Sequence, residues 1–244
     1  MFDARYEDTW LVVGASRGIG HEFVQQLLDR GNRVYATVRK DAASFWPEHQ
    51  KQGLCRVWTC DITSQSSIEN FVDELSSLSD DAISGVIINA GVLKYPSRAT
   101  EMSFDDFTYH LNTNAVGPII CAQALLKAGV RLDKITFISS DSGSAQNFLE
   151  MEDGFAAYAA SKAALNQALR HMAAEVKRRR RPTVILALHP GEVKTDMANI
   201  DVDWEVEGQM TPQESVEACL RVIDSKGSED NGTFWTWENR PYPW

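Results

Sequence analysis

Six short apolar runs, each closed by turn-forming residues, recur along the chain: TWLVVG at 9–14, RVYATV at 33–38, LCRVWTC at 54–60, GVIINAG at 85–91, KITFISS at 134–140 and TVILALHPG at 183–191. As a set they lack the apolar/polar alternation of a sheet with one wet face, and suit parallel strands covered on both sides. The stretches between them carry helical spacing and helix signals. GHEFVQQLLDRG ends on Gly31, suited to a left-handed C-terminal cap. Thr63 or Ser64 can cap the next helix, and Asp105 or Asp106 lies early in another. Strand alternating with helix implies right-handed βαβ units. The expected fold is α/β: one domain over 1–244, a Rossmann-type doubly wound parallel sheet with helices on both faces.

The chain has 244 residues, 43% of them hydrophobic, enough for one such domain with a full core. Its formal net charge of -10 disfavours general binding to nucleic acid or an anionic membrane. The N-terminal MFDARYEDTWLVVG has no basic region, long apolar core or small-residue cleavage site, so a cytoplasmic location is expected. Cys55, Cys60, Cys121 and Cys219 form neither a C-x-x-C pair nor a Cys/His cluster, so the expectation is structural thiols and no metal. The basic run Lys177 to Arg181 has the composition of a nuclear signal, but a solvated helix C-terminus explains it better.

The first strand runs into Gly14-Ala15-Ser16-Arg17-Gly18-Ile19-Gly20 and directly into a helix. Glycines there let the backbone turn sharply and approach a pyrophosphate seated on helix amides. In dinucleotide folds a carboxylate ending the second strand commonly accepts the ribose hydroxyls and selects NAD. Here the strand ends Thr37, Val38, Arg39, Lys40. Arg39 and Arg17 suit the 2′-phosphate of NADP, although both are also ordinary as surface residues. Asp61, after the third strand, either accepts from the adenine amino group or begins the Thr63 turn.

The most informative segment is Tyr158-Ala159-Ala160-Ser161-Lys162, in an Ala-rich stretch from about 155 to 179 with strong helix propensity. Tyr158, Lys162, Leu165, Leu169, Met172 and Val176 fall on one helical face, so a Tyr and a Lys share the inward stripe one turn apart. A core tyrosine beside a snorkelling lysine is the plain alternative. The fifth strand ends Ser139-Ser140-Asp141-Ser142-Gly143, bringing hydroxyls to the carboxyl end of the sheet, where α/β proteins bind ligands. A helix at about 112–128 carries Asn112 and Asn114, and the sixth strand ends His189-Pro190-Gly191.

These ordered motifs, namely the glycine loop, Asn89-Ala90-Gly91, Asn114 before Gly117-Pro118, Ser140, Tyr158-x-x-x-Lys162 and Pro190-Gly191, resemble the short-chain dehydrogenase/reductase family over nearly the whole chain. HPGEVKTDM and the terminal G-x-F…P-W look most like its C-factor-like carbonyl reductase branch. The resemblance implies an NADP(H)-dependent oxidoreductase acting on a ketone or aldehyde, or on the alcohol in reverse. It implies Tyr158 as catalytic acid, Ser140 holding the substrate oxygen, Lys162 on the nicotinamide ribose and Asn114 anchoring a relay water. Cofactor contacts are implied for Gly14, Ser16, Arg17, Gly18, Ile19, Gly20, Arg39, Asp61, Ile62, Asn89, Ala90, Gly91, Tyr158, Lys162, Pro190, Gly191, Val193 and Thr195. A neighbouring ammonium is expected to bring the Tyr158 phenol down towards its working range. Of the three serines, Ser140 fits the spacing to Gly143, whereas Ser139 points to the other side of its strand.

Three positions depart from the family pattern: Val13 where threonine is usual, Ile88 for the first Asn of Asn-Asn-Ala-Gly, and Glu192 where this branch carries an apolar aromatic. Glu192 reads as a solvated loop carboxylate ahead of a substrate contact. Residues 192–211 lack periodicity and are expected to cover the substrate. Asp201, Asp203, Glu205 and Glu207, with Phe148, Leu149, Met151 and Phe155, suggest an apolar substrate that is neutral or cationic. The family resemblance also implies a homodimer or homotetramer. A cofactor-binding relative with a non-redox signalling, scaffold or cyclase role is the competing reading.

Overall fold

Successive residues of the first strand, β1 (Thr9–Val13), are buried in opposite directions. Leu11 and Val13 enter one hydrophobic core, Trp10 and Val12 a second. A strand buried on both faces must lie inside a three-layer sandwich, and the computed structural model shows one. It describes residues 8–78, 82–150, 152–200 and 208–244.

The other strands are β2 (Arg33–Val38), β3 (Cys55–Thr59), β4 (Gly85–Ile88), β5 (Lys134–Ile138), β6 (Val184–His189) and β7 (Thr233–Thr236). All pair in parallel, in the order β3-β2-β1-β4-β5-β6-β7. The six expected runs each contain a strand. β7 was not expected: it is a four-residue edge strand whose only fully apolar inward residue is Phe234, too short to stand out as a run. Phe234 packs on Tyr242 and Trp244, so the C-terminus closes one core.

The helices are α1 (Gly18–Asp29), α2 (Pro47–Lys51), α3 (Gln65–Leu78), α4 (Phe104–Leu111), α5 (Gly117–Lys127), α6 (Ala156–Arg178) and α7 (Pro212–Ser225). Those touching the sheet divide between its faces. Residues of α3, α5 and α6 join the core containing Leu11; those of α1 and α7 join the core containing Trp10. Gly31 follows α1 with φ of 81°, the cap expected of it. Ser64, not Thr63, caps α3 by accepting from the amide of Ser67 at 3.3 Å.

The helix expected at 112–128 begins earlier. α4 is capped by Ser103, whose hydroxyl accepts from Asp106 N, and continues through a π-helical turn, Asn112–Val116, into α5. Such a turn adds a residue to the helical cycle and re-aims the side chains around it. Asn114 sits within it.

Candidate active site

The strand order reverses between β1 and β4, and the crevice there begins at the glycine loop. Gly14 N and Ala15 N both donate to Thr37 O, at 3.2 and 2.8 Å, while Asn89 Nδ2 donates to Gly14 O at 2.8 Å. The loop is therefore pinned to β2 on one side and to the end of β4 on the other. Gly14 has φ of 88°, and a Cβ there would come 2.7 Å from Ala90 backbone. Arg17, at the N-cap of α1, supplies no side-chain cap, which leaves the first-turn amides facing the crevice for an anionic ligand.

A cavity of about 550 Å³ extends from this loop. Its wall includes Gly14, Ser16, Arg17, Gly18, Ile19, Arg39, Asp61, Ile62, Asn89, Ala90, Gly91, Tyr158, Lys162, Pro190 and Thr195. Gly20, Gly191, Val193 and Asn114 lie off it. Gly20 instead lets α1 pack, because a Cβ there would come 2.1 Å from Gly14 O. Asp61 accepts from both the amide and hydroxyl of Thr63, at 2.9 and 2.7 Å, so the turn occupies one of its oxygens while the residue still lines the cavity. Those bonds hold its carboxyl below the usual range. Lys194, Asp196 and Met197 also line the cavity; they belong to the 192–211 segment expected to cover the substrate, and had not been expected at the cofactor. Asp196 pairs with Arg17 at 3.1 Å across the opening, although nothing in the sequence spacing links a glycine loop to a residue so far along the chain.

Tyr158 also lines a second cavity, of about 580 Å³, with Ser140 beside it. Leu93, Leu149, Phe155, Met197 and Ile200 form apolar wall; Asp141, Glu152, His189 and Glu192 form the polar wall. Residues 201–207 and Met151 lie outside the described residues, and with them all four acids expected to colour the substrate cover. The acids found here are different ones, and of them only Glu192 had been singled out. The His189 ring and the Asp141 and Glu192 carboxylates lie within 4.8 Å of one another.

The serines separate as strand parity requires. Ser139 Oγ donates to Asn166 Oδ1 of α6 at 2.6 Å and is buried. Ser140 opens on the second cavity beside Tyr158, and its Oγ donates to Asp141 Oδ1 at 3.0 Å and Ser142 Oγ at 3.2 Å. Lys162 Nζ donates to Ile138 O at 2.9 Å and lies 5.7 Å from the centre of the Tyr158 ring. Asn114 is wholly buried, and its side chain is committed: Oδ1 accepts from Val92 N at 2.7 Å, and Nδ2 donates to Val92 O and Ser161 Oγ, both at 2.9 Å.

The electrostatics run against the expected tuning of Tyr158. Burial pushes its phenol up, the Asp141, Glu192 and Glu152 carboxylates push the same way, and the Ser140 hydrogen bond opposes them. The Lys162 ammonium is itself disfavoured by burial, which lowers it to about 8. Tyr158 is thus held in its protonated form. Burial raises Glu152 to about 7, against its bond from Ser142, and raises Glu192 as well.

Residues 8–206 match the short chain dehydrogenase family model. The chain belongs to the short chain dehydrogenase family. Among relatives of this dehydrogenase, an uncharacterized oxidoreductase of Saccharomyces cerevisiae is 32% identical over 251 residues, covering 94% of this chain and 95% of its own. A benzil reductase, (S)-benzoin forming, of Bacillus subtilis is 28% identical over 193 residues, 78% of this chain and 76% of its own. The crystal structure of NADPH-bound carbonyl reductase from chicken fatty liver superposes with a TM-score of 0.84 at 29% identity, covering 98% of this chain and 100% of that one.

Proposed function

We propose that this short chain dehydrogenase reduces a ketone or aldehyde with NADPH, and oxidises the alcohol in reverse, with Tyr158 as the acid and base. The observation that carries the reading is that Tyr158 lines both cavities, with Lys162 on the wall of the first and Ser140 on that of the second. A dinucleotide fits the first cavity: the glycine loop is pinned in place, the first-turn amides of α1 face the crevice, and β2 ends in Arg39 instead of a carboxylate. Arg39 and Arg17 would hold a 2′-phosphate, and the NADPH in the chicken carbonyl reductase supports that choice. When bound, NADPH supplies a hydride to the carbonyl carbon.

The protein's own part is to hold the carbonyl oxygen and to give it a proton. Ser140 and Tyr158 line one cavity, where two hydroxyl donors would stabilise negative charge as it develops on that oxygen. Surroundings that keep Tyr158 protonated favour its donation of that proton. Lys162, with one donor on Ile138 O, has two more for a ribose. Asn114, held in the π-helical turn, is the residue we assign to anchor a relay water. The second cavity, apolar on one wall and acidic on the other, suits an apolar substrate that is neutral or cationic. Association as a dimer or tetramer through α5 and α6 belongs to the same proposal; Val116, 51% exposed at the start of α5, is an apolar residue available for it.

Loss of NADPH absorbance with a panel of ketones and aldehydes, benzil among them, tests the reading. Tyr158→Phe should lower turnover by roughly 10²- to 10⁴-fold while NADPH still binds. Tight NADPH binding with no turnover of any carbonyl or alcohol would favour the non-redox role instead.

A further inference from the structure

A row of hydrogen bonds begins beside Tyr158 and runs away from the cofactor side. Tyr158 and Ser140 line the same cavity, and Ser140 acts on the Tyr158 phenol. Ser140 Oγ donates to Ser142 Oγ at 3.2 Å, and Ser142 Oγ donates to Glu152 Oε1 at 2.9 Å. Two hydroxyls and a carboxyl group thus form a row that ends beside Tyr158, in which each hydroxyl can give one proton and accept another. The backbone fixes the middle of the row: Ser142 N donates to Ser140 Oγ at 3.3 Å, within the tight 3-10 turn Asp141–Gly143. Asp141 Oδ1 is a second acceptor for Ser140, at 3.0 Å, but it also receives Ser142 N at 2.9 Å and leads aside towards His189.

We propose that Ser142 and Glu152 act as relay residues, carrying protons between the second cavity and Tyr158 through Ser140. The proposal rests on Tyr158 being the proton donor. In reduction Tyr158 gives its proton to the substrate oxygen and is left as phenolate. Ser140 then passes its hydroxyl proton to that phenolate, Ser142 passes its own to Ser140 Oγ, and Glu152 passes its carboxyl proton to Ser142 Oγ. Each oxygen loses one O–H bond and gains one, Glu152 ends as carboxylate, and it takes a proton from water in the cavity it lines. Alcohol oxidation runs the row backwards.

The surroundings favour this traffic. The charged and titratable groups around Glu152 are Asp141 from the 3-10 turn, Glu192 and His189 from the end of β6 and the loop after it, and Tyr158 from α6. The acids and the burial that disfavour a Tyr158 phenolate drive its reprotonation. Those same influences keep the Glu152 carboxyl partly protonated near neutrality, as a proton source there must be. The row is independent of Lys162 and Asn114, neither of which is a member.

Steady-state NADPH oxidation with benzil, or whichever panel carbonyl is turned over, between about pH 6 and about pH 9 tests the relay. In the wild type, kcat should fall as pH rises through about 7, where Glu152 loses its proton. Glu152→Gln should lower kcat about tenfold with KM little changed, remove that limb of the profile, and recover rate as imidazole is added as a free proton donor. Ser142→Ala should lower kcat and alter the solvent isotope effect. A protonated-carboxyl infrared band at neutral pH should be present in wild type and absent in Glu152→Gln. The relay is overturned if both variants bind NADPH and keep the wild-type kcat, pH profile and isotope effect, or if the loss in Glu152→Gln is unmoved by imidazole while Ser142→Ala is unaffected. A wild type that turns over no carbonyl removes the reductase reading itself, and the relay with it.

Discussion

Lys162 shows how a single residue can serve a site at the expense of the fold. The residue is 4% exposed, and burial lowers its ammonium to about 8 from an ordinary 10.5. Below about pH 8 folded and unfolded chains are both charged, and the folded chain bears the cost of the buried charge. Between about 8 and 10.5 the folded chain sheds the proton that the unfolded chain keeps, so stability rises with pH across that window, by up to about 3 kcal/mol. Replacing Lys162 with Met removes that cost and one hydrogen bond. We expect Lys162→Met to be more stable at pH 7 by ~2 kcal/mol and inactive. Denaturant unfolding of both proteins across this pH range would show it, and a less stable variant at pH 7 would refute it. Arg39 belongs to the same scale: Arg39→Ala should weaken NADPH binding about tenfold and leave NADH binding nearly unchanged. Equal loss for both cofactors in a fluorescence titration would mean that the 2′-phosphate is held elsewhere.

At the scale of elements, the tie between the glycine loop and α1 is the sharpest constraint. Gly20 lies in the first turn of α1, where a Cβ would fall 2.1 Å from Gly14 O and 2.4 Å from Asn89 Nδ2. A backbone oxygen cannot turn aside as a side chain can, so α1 must shift. Gly20→Ala should cost about 1–3 kcal/mol and abolish NADPH binding, because the amides of α1 move with it. A variant with wild-type melting temperature and cofactor affinity would show that the loop yields. The π-helical turn Asn112–Val116 is a second device at this scale. By sequence it is continuous with a helix, since nothing in its residue types separates an α from a π turn; it follows from the need for Asn114 to meet Val92 and Ser161 at once.

At the scale of the whole molecule the sheet separates two cores, and the four cysteines are distributed between them as buried free thiols. Burial raises Cys55 and Cys219 to about 12 and Cys60 to about 11, which keeps the thiolate scarce. A thiol reagent at pH 7 should therefore label none of the four in the folded protein and all four after denaturation, on the time course of unfolding. Rapid labelling of Cys60, nearest the cofactor cavity, would mean that β3 opens more readily than the core does. No helix of the described residues is long and apolar enough to cross a membrane.

Six of the strands, most of the helices and the family were legible in the sequence, because strand burial, glycine turns and helical spacing are local properties written in consecutive residues; the short edge strand β7 and the π-helical turn were not. Tyr158 and Lys162 share a face whatever packs against them, and Ser139 and Ser140 part by strand parity alone. Only the tertiary structure decided the electrostatics. Asp141 and Glu152, from the connection between β5 and α6, and Glu192, from the loop after β6, converge on one cavity, and burial there reversed the sign expected for Tyr158. A charge's effect depends on distance through a low-dielectric interior, and that distance exists only once the chain has folded.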